Sequence, residues 1–203
     1  RMISNEAALT ALRGTIEAES PNARQPELHV LCRNLEQLRS VLTAGLTSVY
    51  ADFQDIREYS RAVPLAHTAG AEIYLATPRI QKPAEEPLFK HLLRHGANGI
   101  LVRNLGGLLF YTERQVPIVA DFSLNAANEL TVQLLREHGA RRVTASYDLN
   151  AEQLRDLAAA VPSSWLEIVI HQHMPMFHME HCVFCAFLSP GTDRTNCGRP
   201  CDR

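Results

Sequence analysis

Seven short apolar runs recur along the chain, their starts spaced at roughly 20–25 residues, the length of one strand, helix and turn. They are "LHVLC" (28–32), "SVYADF" (48–53), "EIYLAT" (72–77), "GILVRN" (99–104), "PIVADF" (117–122), "RVTASY" (142–147) and "LEIVIHQH" (166–173). Several are β-branched and apolar on both faces. That is the pattern of parallel strands covered by helices, because an uncovered sheet face would carry polar residues at alternate positions.

The connectors read as helices that end in Gly. Asn34 caps "LEQLRSVLTAG", whose Leu35, Leu38, Val41 and Leu42 share one face before Gly45. Asn128 does the same for "ELTVQLLREHG", with Gly139 at its end, and Asn150 opens "AEQLRDLAAAV" ahead of Pro162. Pro87 lies near the first turn of "PLFKHLLRHG". Pro64 sits inside "DIREYSRAVPLAHTAG", so that helix is expected to kink or to start late. The connector around "LGGLLFYTERQ" reads as too short for a long helix.

Seven alternating units predict an α/β fold of the (β/α) TIM-barrel type, incomplete, with about seven parallel strands. The eighth strand is expected beyond Arg203, and both ends read as cuts in a longer protein. A doubly wound open sheet is the competing arrangement, but no G-x-G-x-x-G follows the first strand. Residues 1–27 read as a lead-in helix and polar linker, and residues 28–203 as the barrel domain with a cysteine-rich end. With 46% apolar and 21% charged residues the chain is globular in composition. A net charge of −2 with mixed signs gives no bulk electrostatic case for nucleic acid, though a local basic rim is compatible with it. No membrane-spanning run or signal pattern is present, and a cytoplasmic location is expected.

Four of the five cysteines and four of the nine histidines fall between His171 and Cys201. The spacing Cys182-x2-Cys185-x11-Cys197-x3-Cys201 suits either an iron–sulfur cluster or one zinc ion, the latter a structural staple for a long loop. The segment follows the last predicted strand, which puts the metal at the C-terminal mouth where barrel active sites form. On that strand Glu167, Val169, His171 and His173 alternate onto one face, so Glu167 and His171 are candidate catalytic groups if that face is inward. Each histidine has the plainer alternative of satisfying loop carbonyls. His178 and His181 are candidates to donate to metal-bound sulfur. Met174, Met176 and Met179 read as an apolar lid, and Cys32 reads as a small core residue near the mouth.

This segment resembles peptidase family U32, the collagenase-like proteins. In that family a strand E-x-F-x-H-G-A-L-C precedes a G-R-C and a later C-x3-C. Glu167 and His171 match the opening pair, Cys182 the G-R-C cysteine, and Cys197 and Cys201 the closing pair. Two departures stand out: Gln172 replaces the Gly, and the first family cysteine falls at Pro175, leaving Cys185 to supply the fourth ligand. "VLCRNLEQLRSVLTAGLTSVYADF", "ATPRIQKPAEE" and "DFSLNAANELTVQLLREHGARRVTAS" extend the resemblance over nearly all of residues 28–203, which look like the second half of a long bacterial member. The resemblance implies one of two activities. Some members have collagenase activity attributed to them. Others carry a 4Fe–4S cluster and act in oxygen-independent hydroxylation of an RNA base or a small aromatic, with prephenate implicated as oxygen source in some.

The chain has no H-E-x-x-H or G-x-S-x-G, and an iron-bound thiol is not a free nucleophile, so the chemistry favours the hydroxylase reading. A collagenase-like peptidase and a zinc-stapled, non-catalytic binding module remain as alternatives. Among residues at strand ends, Arg79, Lys82 and Arg103 are candidates to bind a carboxylate-bearing donor, and Asn125 to orient substrate. The bland alternative for the three cations is surface ion pairing, and for Asn125 the shaping of a turn. RNA or a small aromatic is the expected partner, together with the remainder of a longer chain and no membrane.

Overall fold

The computed structural model describes residues 5–16, 26–173, 182–191 and 196–202. His178, His181 and the three methionines at 174, 176 and 179 lie outside the described residues. The chain divides into two compact units, Arg1–Val169 and Ile170–Arg203.

In the first unit the strands are β1 (Val30–Cys32), β2 (Ser48–Ala51), β3 (Glu72–Ala76), β4 (Gly99–Val102), β5 (Ile118–Ala120), β6 (Ala140–Thr144) and β7 (Leu166–Glu167). All pair in parallel, in the order β1-β2-β3-β4-β5-β6-β7. A doubly wound sheet reverses its strand order at a switch point, and this one does not. The helices are α1 (Glu6–Arg13), α2 (Leu35–Thr43), α3 (Tyr59–Thr68), α4 (Glu86–Leu93), α5 (Leu105–Thr112), α6 (Glu129–Glu137) and α7 (Ala151–Ala160).

The sheet is curled. The Tyr50 hydroxyl on β2 donates to Glu167 Oε1 on β7 at 2.5 Å. Five strand spacings of about 4.8 Å would separate these strands by about 24 Å in a flat sheet. Side chains therefore sort into an inside and an outside. Cys32, Val49, Ala51, Ile73, Leu75, Ile100, Val102, Ile118, Ala120 and Val143 point outward to the helices and share one core with Leu38, Tyr59, Phe89, Tyr111 and Leu135. The intervening Leu31, Tyr50, Tyr74, Ala76, Leu101 and Val119 form a second, interior cluster. Runs that are apolar on both faces are what this two-sided burial requires.

The helix starts follow the expected caps. Asn34, Asn104, Asn128 and Asn150 each accept a backbone N–H through the side chain, the last in a full capping box with Gln153. Helix α3 starts late, at Tyr59, after a 3₁₀ turn over Ile56–Glu58, and contains Pro64. The connector that read as too short for a long helix forms α5, a short helix of eight residues that Asn104 caps and that includes Gly106 and Gly107. The lead-in helix α1 belongs to this unit: Arg13 Nε pairs with Glu129 Oε1 on α6 at 2.6 Å, and Gln133 donates to Thr15 at 2.7 Å. The last strand is shorter than expected, with β7 covering only Leu166–Glu167 of the predicted 166–173.

Gly99 opens β4 opposite Tyr74 in the β3 ladder. A Cβ there would lie 2.6 Å from Tyr74 Cε1 and would also strike the Pro117 carbonyl. Replacing Gly99 with Ala should therefore destabilise the fold by about 1–3 kcal/mol, the usual range for overpacking, read as a lower urea midpoint at unchanged slope.

Candidate functional site

Two polar constellations occupy the interior of the first unit, and both follow from strand alternation. At the C-terminal ends of the strands, the inward positions after Leu31, Tyr50, Leu101 and Val119 are Arg33, Asp52, Arg103 and Asp121. Charge alternates in sign around this rim. Arg103 is nearly buried. Its Nε donates to Asp121 Oδ2 and its Nη1 pairs with Asp52 Oδ2, both at 2.8 Å. Arg33 pairs with the same Asp52 oxygen.

Neighbouring elements lock the geometry. The Arg103 backbone N–H donates to Thr77 Oγ1 at 2.9 Å, and Ser123 Oγ donates to the Arg103 carbonyl at 2.9 Å. Tyr59 accepts from the Phe53 N–H at 3.1 Å and so braces the segment carrying Asp52; burial pushes its phenol up to about 12. Burial alone would lower the Arg103 guanidinium, but Asp52 and Asp121 hold it above its ordinary value. Burial raises Asp121 against the pull of Arg103. Beside this rim the Arg79 guanidinium lies 4.8 Å from the Phe122 ring centroid, and Tyr147 meets Phe122 edge-on at 4.8 Å.

Deeper in the interior, Glu167 gathers four neighbours. Besides the Tyr50 hydroxyl, Arg142 Nε stands 2.6 Å from Oε1 as an ion pair, although its N–H is not aligned for a hydrogen bond. Thr144 Oγ1 donates to Oε2 at 3.3 Å, and His29 Nε2 lies 3.7 Å from Oε1. Arg142 Nη2 also donates to the Tyr50 hydroxyl at 3.2 Å, and His29 stacks on Tyr50. Burial, and then Glu167, raise the Tyr50 phenol, while burial lowers His29 against the pull of Glu167.

The sequence-predicted residues distribute unevenly over this plan. Glu167 faces inward as expected. His171 and His173 lie beyond β7, exposed, with ring centroids 6.3 Å apart, so the predicted strand alternation does not reach them. Arg103 already serves two aspartates, and Arg79 rests on Phe122. Lys82 is exposed, its N–H bonded to Glu85 Oε2 at 2.8 Å. Asn125 adopts the left-handed conformation that ends a 3₁₀ turn over Phe122–Leu124, with φ of 54°. Cys32 is fully buried on the outer face, and burial pushes its thiol up to about 11. Sequence reasoning missed His29, Tyr50 and Arg142. The signal was available: each is a polar or aromatic residue at an inward position next to apolar outward ones.

The second unit holds the four cysteines. Helix α8 (Val183–Leu188) starts at Cys182, whose Sγ accepts the Cys185 N–H at 3.4 Å. Cys185 is buried, and its thiol donates to the Gly191 carbonyl at 3.2 Å. Burial, and then the neighbouring Cys197 and Cys182, raise that thiol. Ser189 donates to the Cys197 carbonyl at 2.7 Å and accepts from the Gly191 N–H at 3.0 Å. A 3₁₀ turn over Pro200–Asp202, carrying Cys201, packs against α8. The donor chemistry suits a thiolate-bound cluster or zinc: Cys182 and Cys197 both act on Cys185, and Cys201 stands on the turn against α8. Among the described residues no three His, Cys, Asp or Glu side chains are drawn together closely enough to hold an ion. Among them, too, no helix is long and apolar enough to cross a membrane.

Comparison with known proteins places this geometry in context. The model of Peptidase family U32 matches residues 33–203. A curated relative, tRNA hydroxylation protein P of Escherichia coli (strain K12), is 22% identical over 183 residues, covering 81% of this chain; the chain spans 40% of that relative's length. The solved U32 peptidase Mk0906 superposes with a TM-score of 0.58 at 12% identity, covering 75% of this chain and 70% of that one. A native KDPGal structure gives 0.52 at 18% identity over 71% and 72% of the two chains. These likenesses establish a barrel-type fold.

Removing the carboxylate that ties β7 to the interior is the sharpest test of the deeper constellation. Glu167→Ala leaves Arg142 unpaired in a largely buried place and should cost ~3 kcal/mol by chemical denaturation, with Glu167→Gln costing less. His29 gives a pH signature. Its folded pKa is lowered, so its contribution is present above the unfolded value of 6.5 and is lost as pH falls through the lower folded one. Wild-type stability should fall as pH drops below 6.5, and His29→Gln should flatten part of that slope, the remainder including His95, whose pKa is lowered too.

Proposed function

The chain belongs to peptidase family U32, and on that footing we propose that it is the cluster-bearing part of an enzyme that hydroxylates an RNA base without molecular oxygen. The observation that carries this reading is the gathering of cysteines 182, 185, 197 and 201 in one small unit, inside the stretch that the family match covers. The likeness to a tRNA hydroxylation protein supports RNA as the substrate class.

Cys182, Cys185, Cys197 and Cys201 would hold a 4Fe–4S cluster, which supplies one-electron transfer or an iron that binds an oxygen donor. The rim of the barrel does the binding. Arg79 and Arg33 present guanidinium groups suited to a carboxylate-bearing donor of the prephenate type or to an RNA phosphate. Arg103 acts from below them, fixing Asp52 and Asp121, and through Asp52 fixing Arg33. It is a positioning residue, not a ligand. Tyr147, partly exposed, adds aromatic surface beside Arg79, as a planar ring would need, and the buried Phe122 supports both. Glu167 holds the interior closed.

The test uses the full-length protein purified without oxygen. Iron, sulfide and visible absorption are measured, along with hydroxylated nucleosides in tRNA from a deletion strain complemented with each variant. Cys197→Ser should remove cluster and product together, because serine is a poor ligand for iron in a thiolate set. Arg79→Ala should keep the iron yet weaken the donor by about 1.5–3 kcal/mol, roughly one to two powers of ten. Undiminished product from Cys197→Ser, a colourless zinc protein, or collagen cleavage that survives loss of iron would overturn the proposal.

A further inference from the structure

The end of α4 carries a pair of imidazoles that the hydroxylase reading does not use. His91 lies in the last turn of α4 and His95 in the turn just beyond its end, where the two rings meet. Their Nε2 atoms are 3.2 Å apart, with ring centroids at 4.8 Å and planes nearly perpendicular. His95 is also held edge-on against Tyr59 at 5.8 Å, and the Tyr59 hydroxyl is itself bonded to the Phe53 N–H. Both residues are half-buried.

Two arrangements bring imidazole nitrogens this close. One ring can donate its N–H to the other, and 3.2 Å is within the range of such a bond. Alternatively both lone pairs can face a metal ion. With Zn–N bonds of about 2.0–2.1 Å, two ligand nitrogens stand about 3.3 Å apart at a tetrahedral angle and about 2.9 Å apart at a right angle. The observed separation lies between those values. Burial, and then the neighbouring His91, lower the His95 pKa, which keeps that ring neutral and able to ligate near pH 7.

We propose that His91 and His95 form an exchangeable binding site for a divalent metal of the zinc type, distinct from the cysteine segment. Among the described residues no third His, Cys, Asp or Glu joins them, and a site of two imidazoles leaves positions for water. A site with two protein ligands and open positions exchanges its metal; closed four-ligand sites are the structural ones. Imidazole suits zinc, copper and nickel over the hard cations. Bound metal would also staple the last turn of α4 to the residues that follow it.

The experiment titrates the full-length protein with zinc chloride beyond saturation of its cysteines, while the imidazole nitrogen resonances are followed by NMR. The His91 and His95 signals should shift together and saturably. His91→Gln and His95→Gln should each weaken that event by roughly tenfold or more, since even the loss of a ligand's hydrogen-bond partner costs that much. His67→Gln, whose ring bonds the Asn98 side chain at 3.0 Å, should leave it unchanged. Resonances of the wild-type pair that stay put throughout the titration, or binding that persists at wild-type strength in both variants, would overturn the proposal. The wild-type spectrum decides even where a variant fails to fold.

Discussion

A sheet of seven parallel strands has two edges, and β1 and β7 leave backbone groups that no eighth strand pairs among the described residues. Glu167 is the constraint on which the remaining arrangement depends. Its carboxylate meets Tyr50 of β2, Arg142 and Thr144 of β6, and His29 just ahead of β1. Side chains do here what a backbone ladder does in a closed barrel. The curl they hold turns strand alternation into an inside and an outside, and only then do the residues beyond β1, β2, β4 and β5 converge on one rim.

That rim is built from opposed charges because a nearly buried guanidinium needs full compensation. Arg103 is flanked by Asp52 and Asp121 at equal distance, and Arg33 offsets the second carboxylate that Asp52 would otherwise bring. Taking one partner away leaves an uncompensated charge at a dry position, which costs more than the pair itself contributes. The three groups therefore behave as one rigid piece. Groups that must adapt to a ligand are found outside it, in Arg33 at the exposed end and Arg79 on its aromatic support.

Much of this fold was legible because its signals are local. Strands apolar on both faces, Asn before three of the helices and Gly after several of them are decided within a few residues of sequence, and strand count and order followed from them. The site was legible only where chemistry clusters along the chain, as it does for the cysteines. Glu167 was found through its alternation, but its partners Tyr50, Arg142 and His29 lie 117, 25 and 138 positions away. No periodicity links residues so distant; curvature does, and curvature is a property of the whole sheet. The misreading of the last strand has the same origin. The alternation carried from Glu167 to His173 assumed a strand, yet β7 stops at Glu167, and Ile170 already belongs to the second unit. The diglycine in α5 lowers helix propensity, but the Asn104 cap and the burial of Leu108, Phe110 and Tyr111 outweigh it.

The second unit obeys a different rule from the first. In α8 the buried side chain is Cys185, while Phe184, Phe187 and Leu188 are exposed by 54%, 82% and 65%. Among the described residues α8 therefore buries little apolar surface, and a helix of six residues has no stability of its own. Among the described residues polar ties hold it as well: Cys182 to the Cys185 N–H, Cys185 to Gly191, Ser189 to Cys197. Every one of them involves a cysteine or the residues that hold a cysteine in place. On the proposed reading, metal binding and folding of this segment are one equilibrium, with the ligand supplying the free energy that a hydrophobic core supplies to the barrel.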